Sequence, residues 1–85
     1  MAERKVTVVS EVGLHARPAA TFVQTAAQAP FDVTVAKFGV PPVNAKSILS
    51  VLALDVRHGE TIVISADAEG ADEFLDRLAA IASAP

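Results

Sequence analysis

In the run Val12-Gly13-Leu14-His15-Ala16-Arg17-Pro18, an imidazole and a guanidinium flank a single alanine just before a proline. Proline is tolerated in the first turn of a helix, where its missing N–H would have no carbonyl to meet. It also pushes the preceding residue, Arg17, out of the helical region, so the helix starts between His15 and Pro18. The first amides of a helix lack intrahelical partners, and the aligned peptide dipoles place partial positive charge there. Such an end binds anions, phosphate above all, and Ala16 and Arg17 are placed to offer free backbone N–H groups beside the His15 ring. The same positive end disfavours imidazolium, so the ring is expected to stay neutral and nucleophilic. A ring nitrogen that takes up a phosphoryl group would create a dianion, and the donor fork of Arg17 matches its oxygens bidentately. The residue set therefore points to His15 as a transient phosphohistidine, stabilised by Arg17 and the helix amides. Metal binding is not expected, because the only other histidine, His58, falls in a distant turn and no third ligand is evident.

A second cluster, Asn44-Ala45-Lys46-Ser47, precedes the apolar run Ile48-Leu49-Ser50-Val51-Leu52-Ala53-Leu54. Asn44 or Ser47 could cap a short helix there. A helix so apolar cannot bury every side in a small domain, so Ile48, Leu49 and Leu52 are candidates for an exposed docking patch. Phosphate on Ser47 would suit the helix start, yet its charge would stand beside that patch and oppose an acidic or phosphorylated partner.

The elements that must position these groups follow from periodicity. Lys5 to Val9 alternates as a strand with one buried face. From Pro18, Ala19, Phe22, Val23, Ala26 and Ala27 keep helical spacing until Pro30 forbids continuation. Asp32 to Ala36 is a second strand. Gly39-Val40-Pro41-Pro42-Val43 is a turn into a short edge strand, since paired prolines cannot sit in a central ladder. Thr61 to Ser65 is the last strand, and Ala71, Phe74, Leu75, Leu78 and Ile81 mark a closing helix with Asp72 and Glu73 near its start. The order βαββαβα, with alternating strands, predicts an α+β domain spanning residues 1–85: one antiparallel sheet, helices on one face, and the other face open to solvent.

Composition sets the limits. Hydrophobic residues form 52% of 85, enough for one dense core. The absence of cysteine excludes disulfides and cysteine-bound zinc and is in keeping with a cytoplasmic protein, as is the lack of a signal-like or membrane-spanning run. A net charge of −3 argues against nucleic acid as a partner. Residues 1–46 carry +2 and residues 47–85 carry −5, so Arg17 and Lys46 lie in the less acidic half and are expected to steer the molecule toward acidic partner surfaces.

GLHARPAATFV and VNAKSILSVLALDVRHGETIVI resemble the HPr family, the histidine-containing phosphocarriers of the bacterial phosphoenolpyruvate-dependent sugar phosphotransferase system. The resemblance covers essentially the whole chain. It implies an open-faced β-sandwich of four antiparallel strands with three helices, and a carrier that is not itself an enzyme and needs no cofactor. It further implies that His15 takes phosphate on Nδ1 from phosphorylated Enzyme I and passes it to IIA proteins or domains. Arg17 would be its phosphate partner. Ile48, Leu49 and Leu52 would dock both partners, and a monomer would serve such exchange best. Ser47 matches the serine that an HPr kinase/phosphorylase modifies in some bacteria, creating a transcriptional co-regulator. Two further roles follow from the same resemblance: a regulatory binding protein controlled through Ser47, or a carrier in a nitrogen-related relay. The Gly39–Ser47 segment is one residue longer than the commonest family spacing, with Pro41-Pro42 in the added region.

Overall fold

A computed structural model describes residues 1–85. Strand β1 (Ala2–Thr7) leads to helix α1 (Ala16–Ala26), strands β2 (Thr34–Lys37) and β3 (Val40–Asn44), helix α2 (Ile48–Ala53), strand β4 (Thr61–Ala66) and helix α3 (Ala71–Ala82). The sheet order is β1-β4-β2-β3, with every neighbouring pair antiparallel. This is the βαββαβα open-faced arrangement that the alternating strands require. On β4, Ile62, Ile64 and Ala66 are buried, while Thr61, Val63 and Ser65 between them are not. One face of the sheet thus meets the helices and the other faces solvent.

The core is a single cluster of 21 buried residues, with Phe22 from α1, Val35 from β2, Val51 from α2, Ile62 and Ile64 from β4, and Leu75 and Leu78 from α3 at its centre. Phe31 closes its rim, edge-on to Phe74 with ring centroids 5.8 Å apart. Arg4 lies opposite Ile64 and reaches out to the first turns of α3, pairing with Asp76 at 2.6 Å and Asp72 at 3.2 Å.

Strand limits differ from the alternation in instructive ways. β1 begins at Ala2, three residues before the expected Lys5, because β4 runs on to Ala66 and supplies partners for Ala2, Glu3 and Arg4. Beyond Thr7, Val8 still exchanges backbone hydrogen bonds with Gly59 and Glu60, while Val9 turns out to solvent. β2 is shifted toward Lys37, since Val33 accepts instead from Ala45 N–H beyond the end of β3. β3 lies at the sheet edge and carries Pro41 and Pro42. Val35 faces Val43 and Lys37 faces Val40, so the two prolines together stand opposite Ala36. That is a β-bulge, and it places both residues without an N–H where no ladder bond is lost.

Candidate phosphoryl-carrier site

Two loops build the site, 8–15 before α1 and 54–60 after α2. Leu14 is fully buried, and its N–H donates to Val56 O at 2.9 Å. Gly13 makes this approach possible: with φ +71°, an added Cβ would stand 2.2 Å from Val56 O. Ser10 Oγ donates to Gly13 O at 2.8 Å and closes the turn. The residue before His15 is therefore fixed by core packing and by the second loop at once.

His15 is the N-cap of α1, in extended conformation, and accepts the first helical hydrogen bond from Ala19 N–H. Its side chain does no capping. The amides of Ala16 and Arg17 are the first of the helix and have no carbonyl behind them, and Pro18 has no N–H to offer. The start falls within the expected range from His15 to Pro18, and Arg17, expected outside the helical region, is the second residue of the helix. Ala16 takes φ +51°, a left-handed conformation that costs an alanine on the order of 1–2 kcal/mol.

The ring is half-buried, with 34% of its side chain exposed. It lines a shallow cleft with Glu11, Val12, Asp55, Arg57 and His58. Nε2 lies 3.1 Å from Asp55 Oδ1. The other Asp55 oxygen accepts from Arg57 Nη2 at 3.0 Å and Nε at 3.2 Å. The Arg57 guanidinium holds the Asp55 carboxyl below its ordinary range, and the His15 contact acts in the same direction. A carboxylate can only accept, so Nε2 carries the hydrogen, and in the neutral form of the ring the lone pair lies on Nδ1.

The second loop is braced throughout. Lys37 Nζ donates to Asp55 O at 2.8 Å and lies 3.4 Å from Glu60 Oε1. Glu60 Oε1 also accepts from Arg57 N–H at 2.7 Å, and that bond, helped by Lys37, lowers the Glu60 carboxyl. His58, expected as a turn residue, is one. Its Nδ1 is 3.0 Å from Val9 O and ties the two loops together.

The remaining candidates fall into two groups. Arg17 is exposed, forms no ion pair, and lines an adjoining hollow that shares Glu11, Val12 and His58 with the first. No hydrogen bond joins it to His15, so its guanidinium is free for an incoming group. Ser47 caps α2, its Oγ accepting from Ser50 N–H at 3.2 Å, while Asn44 Oδ1 accepts from Lys46 N–H. Because α2 ends beside His15, Ser47 lies at the far end of that helix, about 9 Å of rise away. Only Val51 of α2 is buried; Leu49 is 78% exposed, and Ile48 and Leu52 are partly so.

Lys46 departs from expectation. It does not flank the site with Arg17, because its Nζ donates to Ala29 O beyond the C-terminal end of α1, where unpaired carbonyls attract a cation. The bases close to His15 through Asp55 are Arg57 and Lys37 instead. Sequence reasoning missed these two along with Asp55 and Glu60. The available signal was the charged turn Asp55-Val56-Arg57-His58, directly after a helix that must lie against the first.

No helix is long and apolar enough to cross a membrane, and no cluster of metal-ligating side chains is present.

Residues 2–84 match the family model described as the PTS HPr component phosphorylation site. The phosphocarrier protein HPr of Streptomyces coelicolor is 53% identical, over 93% of this chain and 85% of that protein. The HPr-like protein Crh of Bacillus subtilis is 44% identical, over 94% of this chain and 93% of that protein. The crystal structure of HPr from Bacillus anthracis superposes with a TM-score of 0.89 at 39% identity, covering 96% of both chains. A half-exposed histidine at a helix start, in a fold shared along nearly its whole length with phosphocarriers, leaves one family: this chain belongs to HPr, the phosphocarrier component of the phosphotransferase system, which carries phosphate without being an enzyme.

Proposed function

We propose that His15 is the phosphoryl-bearing residue, that it accepts the group on Nδ1 from phosphorylated Enzyme I, and that it passes the group to IIA proteins or domains. One observation carries this. The Asp55 contact occupies Nε2 and leaves the lone pair on Nδ1, in a ring that is accessible and next to unpaired helix amides. Transfer is an in-line displacement: the Nδ1 lone pair forms the new N–P bond while the donor's bond to phosphorus breaks, and its electron pair stays with the donor. Positioning and charge stabilisation are the carrier's whole contribution. The amides of Ala16 and Arg17 and the unpaired Arg17 guanidinium receive the dianion. The exposed Ile48, Leu49 and Leu52 are the docking patch for both partners, of the modest area that transient complexes use. The family match across residues 2–84 supports one domain over 1–85.

The test is incubation with phosphoenolpyruvate, magnesium and an Enzyme I. One phosphoryl group should be added, labile in acid and stable in base, and none should appear on His15→Ala. Phosphate that survives acid, or that forms on the alanine variant, contradicts the assignment.

A second role, regulation through Ser47, is favoured by the position of Ser47 at the start of α2, beside exposed Ile48 and Leu49. An HPr kinase/phosphorylase would add a charge there that hinders docking of acidic partners and creates a surface for a transcriptional regulator.

A further inference from the structure

We propose that Asp55 is a positioning residue for His15, orienting the ring through Nε2 and balancing the positive charge the ring acquires when Nδ1 carries the phosphoryl group, with Arg57 moderating that hold from the other carboxylate oxygen. The proposal rests on phosphorylation of His15 and adds a residue to it. When the Nδ1 lone pair bonds to phosphorus, no proton leaves the ring. The imidazole keeps its Nε2–H and becomes formally cationic, 3.1 Å from Asp55 Oδ1. The hydrogen bond between a neutral ring and a carboxylate turns into one between opposite charges, which is the stronger kind. Asp55 therefore favours the phosphorylated state over the free one.

The surroundings show that this carboxylate is held and not merely nearby. Its backbone carbonyl accepts from Lys37 Nζ at 2.8 Å, and both carboxylate oxygens are engaged, one by His15 and one by Arg57. Asp55 has φ +52°, and only it and Ala16 among non-glycine residues lie in the left-handed region. Both adjoin His15, one by sequence and one by hydrogen bond. Glycine would take that conformation without strain; the chain instead places there a side chain that reaches the ring.

Arg57 gives the test a sign. It draws Asp55 charge away from His15, so its removal should act opposite to removal of the carboxylate. The protein is equilibrated with phosphoenolpyruvate and pyruvate through a catalytic amount of Enzyme I, and the phosphorylated fraction is read by intact mass. Asp55→Asn, which keeps the shape and tolerates positive φ, should lower the equilibrium constant for phosphorylation roughly threefold, and Arg57→Ala should raise it about twofold. An unchanged or raised constant for Asp55→Asn, or a shift of both variants in one direction, overturns the proposal. Independently, the unphosphorylated 15N-labelled protein should show a slowly exchanging His15 Nε2–H that is lost in Asp55→Gly. Persistence of that protected proton in the glycine variant also overturns it. If the wild type takes no phosphate on His15, the carrier assignment fails, while the ring-proton measurement still judges the Asp55 contact.

Discussion

His15 stands between two opposed influences: the positive start of α1, which repels a charged ring, and the Asp55 carboxylate, which attracts one. The helix alone would make the site a simple anion hole. With the carboxylate added, Nε2 is engaged by Asp55 and Nδ1 is left without a partner. Arg17 lies outside this arrangement, exposed and without an ion-pair partner, as its proposed role toward a phosphoryl group requires. Arg17→Glu should therefore slow transfer from Enzyme I about tenfold or more, leaving the urea midpoint within experimental error of the wild type. Unchanged transfer rates would remove Arg17 from the mechanism. The placement of His15, Ala16 and Arg17 at one helix start was legible in the sequence because they are adjacent and lie just before Pro18. Asp55 is 40 residues away and Lys37 is 18 residues from Asp55, so only the tertiary fold brings them in. Period and capping rules say nothing of such contacts.

At the level of elements, α2 links the proposed docking patch to the site: Ser47 begins it, Leu49 and Leu52 are exposed along it, and Asp55 follows its end beneath His15. Ser47→Ala removes the cap and should cost about 1 kcal/mol in chemical denaturation. Ser47→Asp keeps a good capping side chain, so stability should change little while transfer from Enzyme I slows. Equal transfer rates for wild type and Ser47→Asp would leave the regulatory role without a physical basis. The loop pair behind the site makes its own demand. Gly13→Ala places a Cβ against Val56 O in a left-handed conformation and should destabilise the domain by about 2–3 kcal/mol, read from urea unfolding. Helix positions were legible from Pro18, Pro30, Ser47 and the apolar stripes. Strand ends were less so, because β1 takes its length from the partners β4 supplies and not from its own alternation. The β2–β3 bulge was foreshadowed only as an edge strand with paired prolines, since register depends on both strands at once.

For the molecule as a whole, one core supports a site assembled from two loops at one end of the sheet, so global stability and site geometry are coupled. Asp55 and Glu60 both ionise below the ordinary carboxyl range in the folded state. Folded values lower than unfolded ones mean stabilisation that is complete above the unfolded carboxyl range, near pH 4, and lost as pH falls through the lowered values. The thermal midpoint, followed by circular dichroism, should be level from pH 7 to about pH 5 and fall below that. The fall should be shallower in Asp55→Asn, which takes up one proton fewer; a fall equally steep in the variant would contradict the role given to Asp55. The central claim, that the ring is held by Nε2 and reacts through Nδ1, is tested most directly by 15N and 31P spectroscopy of the protein phosphorylated by Enzyme I. The account predicts a phosphorus coupled to Nδ1 of His15, with the hydrogen retained on Nε2. Phosphorus bonded to Nε2 would contradict it.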